Sequence, residues 1–185
     1  GETVDADGCH GGSVVTWGLY ESGSSNYISS AGLDLSSGVI EIFQAGSGWA
    51  ALKSDGTVVT WGSNEYGGNS SSVSSDLSSG VIEVFSSNGA AAALKSDGSV
   101  ITWGNEGFGG NSSSVSSNLS SDVIKIYSTT EAFAALKSDG SVVTWGSWGG
   151  DSSSVSSELN SDVISIYSTQ YEFAALKSDV SVVKW

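Results

Sequence analysis

The 185-residue chain has no proline, no methionine, no arginine, one cysteine and one histidine. Each shortage closes a route. A single cysteine excludes an internal disulfide framework, so the fold must be held by its core. A lone histidine leaves no histidine pair for a metal and no general base placed by pattern. Six bases, all lysine, face 20 acids, for a formal net charge of −14. Nucleic acid is bound by clustered bases that release counterions, so this balance excludes it as a partner, and an anionic membrane surface is equally unsuited. No apolar run reaches the roughly 18 residues of a membrane span, which excludes insertion as a helix, and no signal peptide is visible. A chain without an initiating methionine reads as a processed or excised form. The acidic surface suits solubility, crowding resistance or salty surroundings, any targeting information lies outside these 185 residues, and the expected setting is extracellular or the cell surface.

What is present is repetition. Val58-Val59-Thr60-Trp61-Gly62 returns at Val100–Gly104 and Val142–Gly146, opens the chain at Val14–Gly18 and closes it at Val182–Trp185. The tryptophans are spaced by 44, 42, 42 and 40 residues. A period near 40 marks a repeat architecture whose units bury their apolar surface only by stacking on neighbours. Serine and glycine are abundant, yet seven Trp, six Tyr and five Phe recur in register with Val and Ile, which disordered chains lack.

Each unit carries three strand signals. The first is Val81–Phe85, matched at 39–43, 123–127 and 163–167; the second is Ala91–Lys95, matched at 49–53, 133–137 and 173–177; the third is the Trp phrase. Between the second and third stands Ser-Asp-Gly, at 54–56, 96–98 and 138–140, a tight hairpin turn. The last unit has Ser178-Asp179-Val180, where a β-branched residue predicts another turn geometry. The connector 68–77, repeated at 110–119 and 150–159, holds a short fourth strand around Val73 or a loop anchored by Val73 and Leu77. In the first strand Ile82 and Val84 point one way and Val81 and Phe85 the other; in the third, Val59 and Trp61 oppose Val58. Sheets apolar on both faces are what stacked propeller blades require.

The run Ala93-Leu94-Lys95-Ser96-Asp97-Gly98-Ser99-Val100-Ile101-Thr102-Trp103-Gly104, followed by Phe108-Gly109-Gly110, resembles the repeat of the regulator of chromosome condensation family. The resemblance covers essentially the whole chain and implies a β-propeller, although these units are shorter and fewer than the family's seven. The serine-rich form is also similar in composition to repeats of large bacterial surface proteins. The family's nucleotide exchange on a small GTPase is not carried over, since fold does not imply that function.

The expected fold is all-β: a small β-propeller of short blades, about five units with the first and last incomplete. One repeat domain spans 1–185, with units roughly at 1–38, 39–80, 81–122, 123–162 and 163–185. The favoured arrangement closes the ring by packing Thr3–Trp17 beside Val182–Trp185. Four blades with an extra hairpin, or an open stack, are the alternatives.

The most regular candidate site follows each Trp phrase: Tyr66, Phe108 and Trp148, each before Gly-Gly and then Asn69, Asn111 or Asp151. An aromatic platform beside amides and hydroxyls is one way of holding a sugar; the plainer reading makes each ring a cap on its blade. Adjacent Cys9 and His10 fall in an insertion left when Asp7-Gly8 is aligned with Asp55-Gly56, too few for a metal site. Asp5 and Asp7 before Gly8 lack the ligand spacing of a calcium loop. Lys53, Lys95, Lys137 and Lys177 form a positional ring that shields strand ends or meets the turn aspartates. Asn69, Asn111 and Asn118 lie in Asn-x-Ser patterns. No catalytic constellation, metal or cofactor is indicated. The sequence therefore reads as a non-enzymatic extracellular binding, adhesion or interaction module. Its alternatives are a purely architectural, self-associating repeat and a lectin-like domain; partners are glycan or protein.

Overall fold

The computed structural model describes residues 12–14, 27–28 and 34–185. Cys9, His10, Asp5, Asp7 and most of the N-terminal hairpin lie outside the described residues. Four antiparallel sheets follow one another along the chain. The first comprises β1 (Tyr27–Ile28), β2 (Val39–Ala45), β3 (Gly48–Lys53) and β4 (Val58–Ser63), in the order β1-β4-β3-β2. The others are simple meanders: β5 (Val81–Ser86), β6 (Ala90–Lys95) and β7 (Val100–Gly104); β8 (Val123–Ser128), β9 (Ala132–Lys137) and β10 (Val142–Gly146); β11 (Val163–Ser168), β12 (Phe173–Lys177) and β13 (Val182–Lys184). Among the described residues the only helical segments are short 3-10 turns.

Each seam between blades is a separate core. The far face of the first blade (Ala50, Leu52, Val58) meets Val81, Val84, Ala93 and Trp103 of the second, with Leu77 of the connector sealing the margin. The same pattern recurs at the second and third seams. Alanine lines both faces of the middle strand, Ala90 to Ala93 in β6 being buried. Small side chains there let adjacent sheets approach while the flanking strands supply Trp, Val and Leu, which fills the seam at interior density.

One expectation about faces needs correction. In every first strand the pairing register shifts, between Val39/Glu41, Val81/Glu83, Val123/Lys125 and Val163/Ser165. The extra residue is the isoleucine, so Ile82 is turned out to solvent while Val81 and Val84 share one core. Val58 and the pair Val59 and Trp61 do oppose each other, lying in different seams. The connector is the loop form: a 3-10 turn at Ser71–Val73 leads to buried Leu77, whose carbonyl accepts the Val58 N–H at 2.9 Å. Thr60 Oγ1 and Ser70 Oγ, 2.9 Å apart, tie the same connector to β4. These bonds recur in the second and third connectors.

The lysine ring meets the connector and not the turn aspartates. Lys95 Nζ donates to the Asp76 carbonyl at 2.8 Å, Lys137 to Asn118 at 2.9 Å and Lys177 to Glu158 at 2.7 Å. A cation there meets the carbonyl end of a short helical turn. Lys53 additionally pairs with the Asp34 carboxylate at 2.6 Å.

Gly12 reaches the first strand of the first sheet: its carbonyl accepts the Val39 N–H at 3.1 Å, as the Gly56 carbonyl accepts that of Val81. Val14 donates to Leu35 as Val58 does to Leu77. The N-terminal unit therefore precedes the first sheet. Val182 and Tyr167, which ring closure would cover, are 59% and 61% exposed. Ring closure turns on Thr3–Trp17, most of which lies outside the described residues.

The turn carboxylates give the stack an acid limit. Hydroxyl and amide donors of Ser99, Ser141 and Ser181 hold Asp97, Asp139 and Asp179 below their ordinary 3.8. A carboxyl depressed in the folded state stabilises fully above its unfolded pKa and loses that contribution as pH falls through the folded value. The melting temperature should therefore decline below pH about 4. Asp97→Asn and Asp139→Asn, which keep the acceptor but do not titrate, should flatten the decline; an unchanged slope would remove these turns from the explanation.

Candidate functional site

The loops that leave each third strand gather on one rim with the first hairpin turns. There the six sequence candidates separate. Tyr66 and Phe108 are brought together, ring centroids 6.2 Å apart and tilted by 55°. Both are half-buried and close over Gly89, where a Cβ would sit 2.7 Å from the Phe108 ring and 3.0 Å from that of Tyr66. Their faces are thus used within the seam, and neither is an open platform. Trp148 differs: it is 68% exposed and tilts against Tyr171 at 5.8 Å. The third loop, from Gly146 to Asp151, is two residues shorter than that from Gly62 to Asn69, and so does not fold Trp148 back over the seam.

Asn69, Asn111 and Asp151 share one local task. Each Oδ1 accepts the backbone N–H two residues on, from Ser71, Ser113 and Ser153 at 2.9, 3.0 and 2.9 Å. That turn starts the connector. The Ser153 amide, with its side chain, holds the Asp151 carboxyl below the ordinary value.

Sequence reading missed what Gly-Gly is for. The indole N–H of Trp103 donates to the Gly67 carbonyl at 2.9 Å, Trp145 to Gly109 at 3.0 Å and Trp185 to Gly149 at 3.0 Å. The first glycine of each loop thus receives the tryptophan of the next blade. The signal was available: the two residues stand 36 positions apart in all three cases.

A cleft lies on this rim among the described residues. Between the first and second connectors lies a space of about 460 Å³, lined by Asn64, Asn69, Ser72, Thr102, Glu106 and Asn111 among others. It brings Asn69 and Asn111 together, although in consecutive units. Asn64 and Glu106 occupy equivalent loop positions and were not singled out from sequence, because amide and carboxylate there do not repeat. The lining is almost wholly hydrogen-bonding and carries a single carboxylate, Glu106. The Asn64 Oδ1 is buried with no hydrogen-bond partner in the protein, an arrangement that leaves the cost of its desolvation, about 1–3 kcal/mol, unrecovered. Among the described residues no group of three His, Cys, Asp or Glu side chains is placed to hold a metal. No described helix is long and apolar enough to cross a membrane.

No protein-family model and no curated protein sequence matches the chain. Solved structures do. Yeast RCC1 (Prp20), in its complex with Kap60, superposes at TM-score 0.55 with 17% identity, over 80% of this chain and 43% of that one. Prp20p from Saccharomyces cerevisiae, studied for its binding to Gsp1p and histones, gives 0.54 at 20% identity, over 80% and 44%. The ectodomain of the Physcomitrella patens receptor kinase CR4 gives 0.52 at 16%, over 80% and 40%. The chain thus spans less than half the length of these proteins. Strand order, the repeated Trp hairpin and these superpositions together show an all-β fold of short β-propeller blades, similar to the fold of yeast RCC1.

Proposed function

We propose that the chain is a non-enzymatic interaction module, working at or outside the cell surface, that recognises a neutral polyhydroxylated ligand in the cleft between its first two connectors. The observation that carries this reading is a cleft of about 460 Å³ lined by amides and hydroxyls, with Glu106 its one carboxylate. A hydroxyl-rich polymer supplies donors for the amide carbonyls and acceptors for the Ser and Thr hydroxyls that line it. Pairing of Tyr66 with Phe108 moves the recognition from ring stacking to hydrogen bonds. A receptor-kinase ectodomain and protein-binding propellers among the similar structures are compatible with an interaction role.

The test is a glycan array followed by NMR titration of the best binders. Binding should be weak, millimolar to micromolar in order of magnitude, strengthened on multivalent polymer and insensitive to salt because no ion pair carries it. Asn64→Ala or Asn111→Ala should weaken it about tenfold, a loss of about 1.4 kcal/mol, whereas Trp148→Ala should leave it unchanged. A silent array, or binding lost only with Trp148, would remove the cleft as the site. Concentration-dependent self-association with no ligand response would favour the architectural reading instead.

A further inference from the structure

The turn between the second and third strands of each blade contains a residue at positive φ: Gly56 at 79°, Gly98 at 78°, Gly140 at 79° and Val180 at 71°. Contrary to the sequence expectation, Val180 keeps the same geometry. Its N–H still reaches the Lys177 carbonyl at 3.0 Å, and Ser181 still donates to Asp179 at 2.9 Å. The three glycines also form the contact by which each blade receives the next. Their carbonyls accept the first-strand N–H of Val81, Val123 and Val163 at 3.1, 3.0 and 3.1 Å. The incoming chain passes so near that a Cβ on each glycine would lie 2.8, 2.7 and 2.8 Å from the amide nitrogens of Gly80, Asp122 and Asp162. Those atoms are backbone and cannot swing aside, being pinned by bonds such as Ser96 N–H to the Gly80 carbonyl and Ser138 N–H to that of Asp122.

The fourth blade keeps the stacking residues of the others. Ala174, Leu176 and Val182 repeat Ala92, Leu94 and Val100, yet Val182 is 59% exposed where Val100 is 7%. Val180 itself is 80% exposed, so its side chain packs on nothing that would offset holding a β-branched residue at positive φ. We infer that Val180 is a stop in the stack, a single side chain that prevents a further blade from seating its first strand on the fourth sheet as the internal blades do. A blade from a longer chain and one from a second copy meet the same obstruction. This inference is independent of the ligand cleft, which lies between other blades.

The full chain extended after Trp185 by a second copy of residues 146–185, which preserves the repeat spacing, tests it. Hydrogen exchange is read on the added first strand in the Val180, V180A and V180G backgrounds. Protection should rise at least about tenfold in V180G, whereas V180A should behave as the parent, because a Cβ alone suffices for the clash. Equal protection in the parent and V180G overturns the inference. So does protection in neither, which would place the obstruction elsewhere.

Discussion

Replacing Trp103 by alanine should lower the unfolding free energy by about 3–5 kcal/mol, the range for truncating a large buried aromatic. The indole is 2% exposed and lies in the seam between the first two blades with Leu52, Val58, Leu77 and Val84. Its N–H also satisfies the Gly67 carbonyl, so truncation opens a cavity and strips a buried acceptor of its partner. Trp103→Phe keeps much of the apolar contact but not the donor, and should cost about 1–2 kcal/mol. Trp185 makes the same bond to Gly149 but is only half-buried, so Trp185→Ala should cost less than Trp103→Ala. Urea titrations of the three variants check the order. A loss below about 1 kcal/mol for Trp103→Ala would contradict the seam described above.

The seam was legible because its residues announce themselves locally. Trp103 stands two residues after Ile101 in a strand whose neighbour is reached by a short turn across Ser96–Gly98, so face and pairing follow from alternation. Leu77 and Val73 likewise fell where connector anchors were expected. What escaped was set by distance or by one-residue irregularities. A bulge turns Ile82 outward, and nothing in Val-Ile-Glu-Val marks the extra residue. Lys95 reaches a carbonyl 19 residues back, beyond any local pattern. Trp148 aligns with Phe108 by its Gly-Gly, but in a loop shorter by two residues its ring tilts against Tyr171 and stays exposed. The candidate site was half legible for the same reason. Asn69 and Asn111 were found as repeated residues, whereas Asn64 and Glu106 share a position and differ in kind, which repetition cannot reveal.

The reciprocal of the Val180 substitution should be severe. Gly98→Val places at the second blade the side chain that the fourth blade carries, but here a third blade is already seated. The new Cβ would lie 2.7 Å from Asp122 N and 3.2 Å from its Cα, at a residue with φ of +78°. Holding valine at that φ costs about 1–3 kcal/mol. Displacing β8 to relieve the contact would lengthen the Val123 N–H bond to the residue-98 carbonyl, adding about 1–3 kcal/mol where that donor is buried. The sum, about 2–6 kcal/mol, is a large fraction of the 5–15 kcal/mol that typically holds a domain together. Gly98→Ala should fall between parent and Gly98→Val, since it brings the Cβ clash without branching. Exchange measurements should show protection lost first on β8 and its partners, with β2–β4 retaining theirs, because each blade contacts only its neighbours. If Gly98→Val instead melts within about 2 °C of the parent, the turn yields to a side chain at little cost. The close approach at Gly98 would then not govern the stacking of the third blade, and the obstruction assigned to Val180 would lose its physical basis.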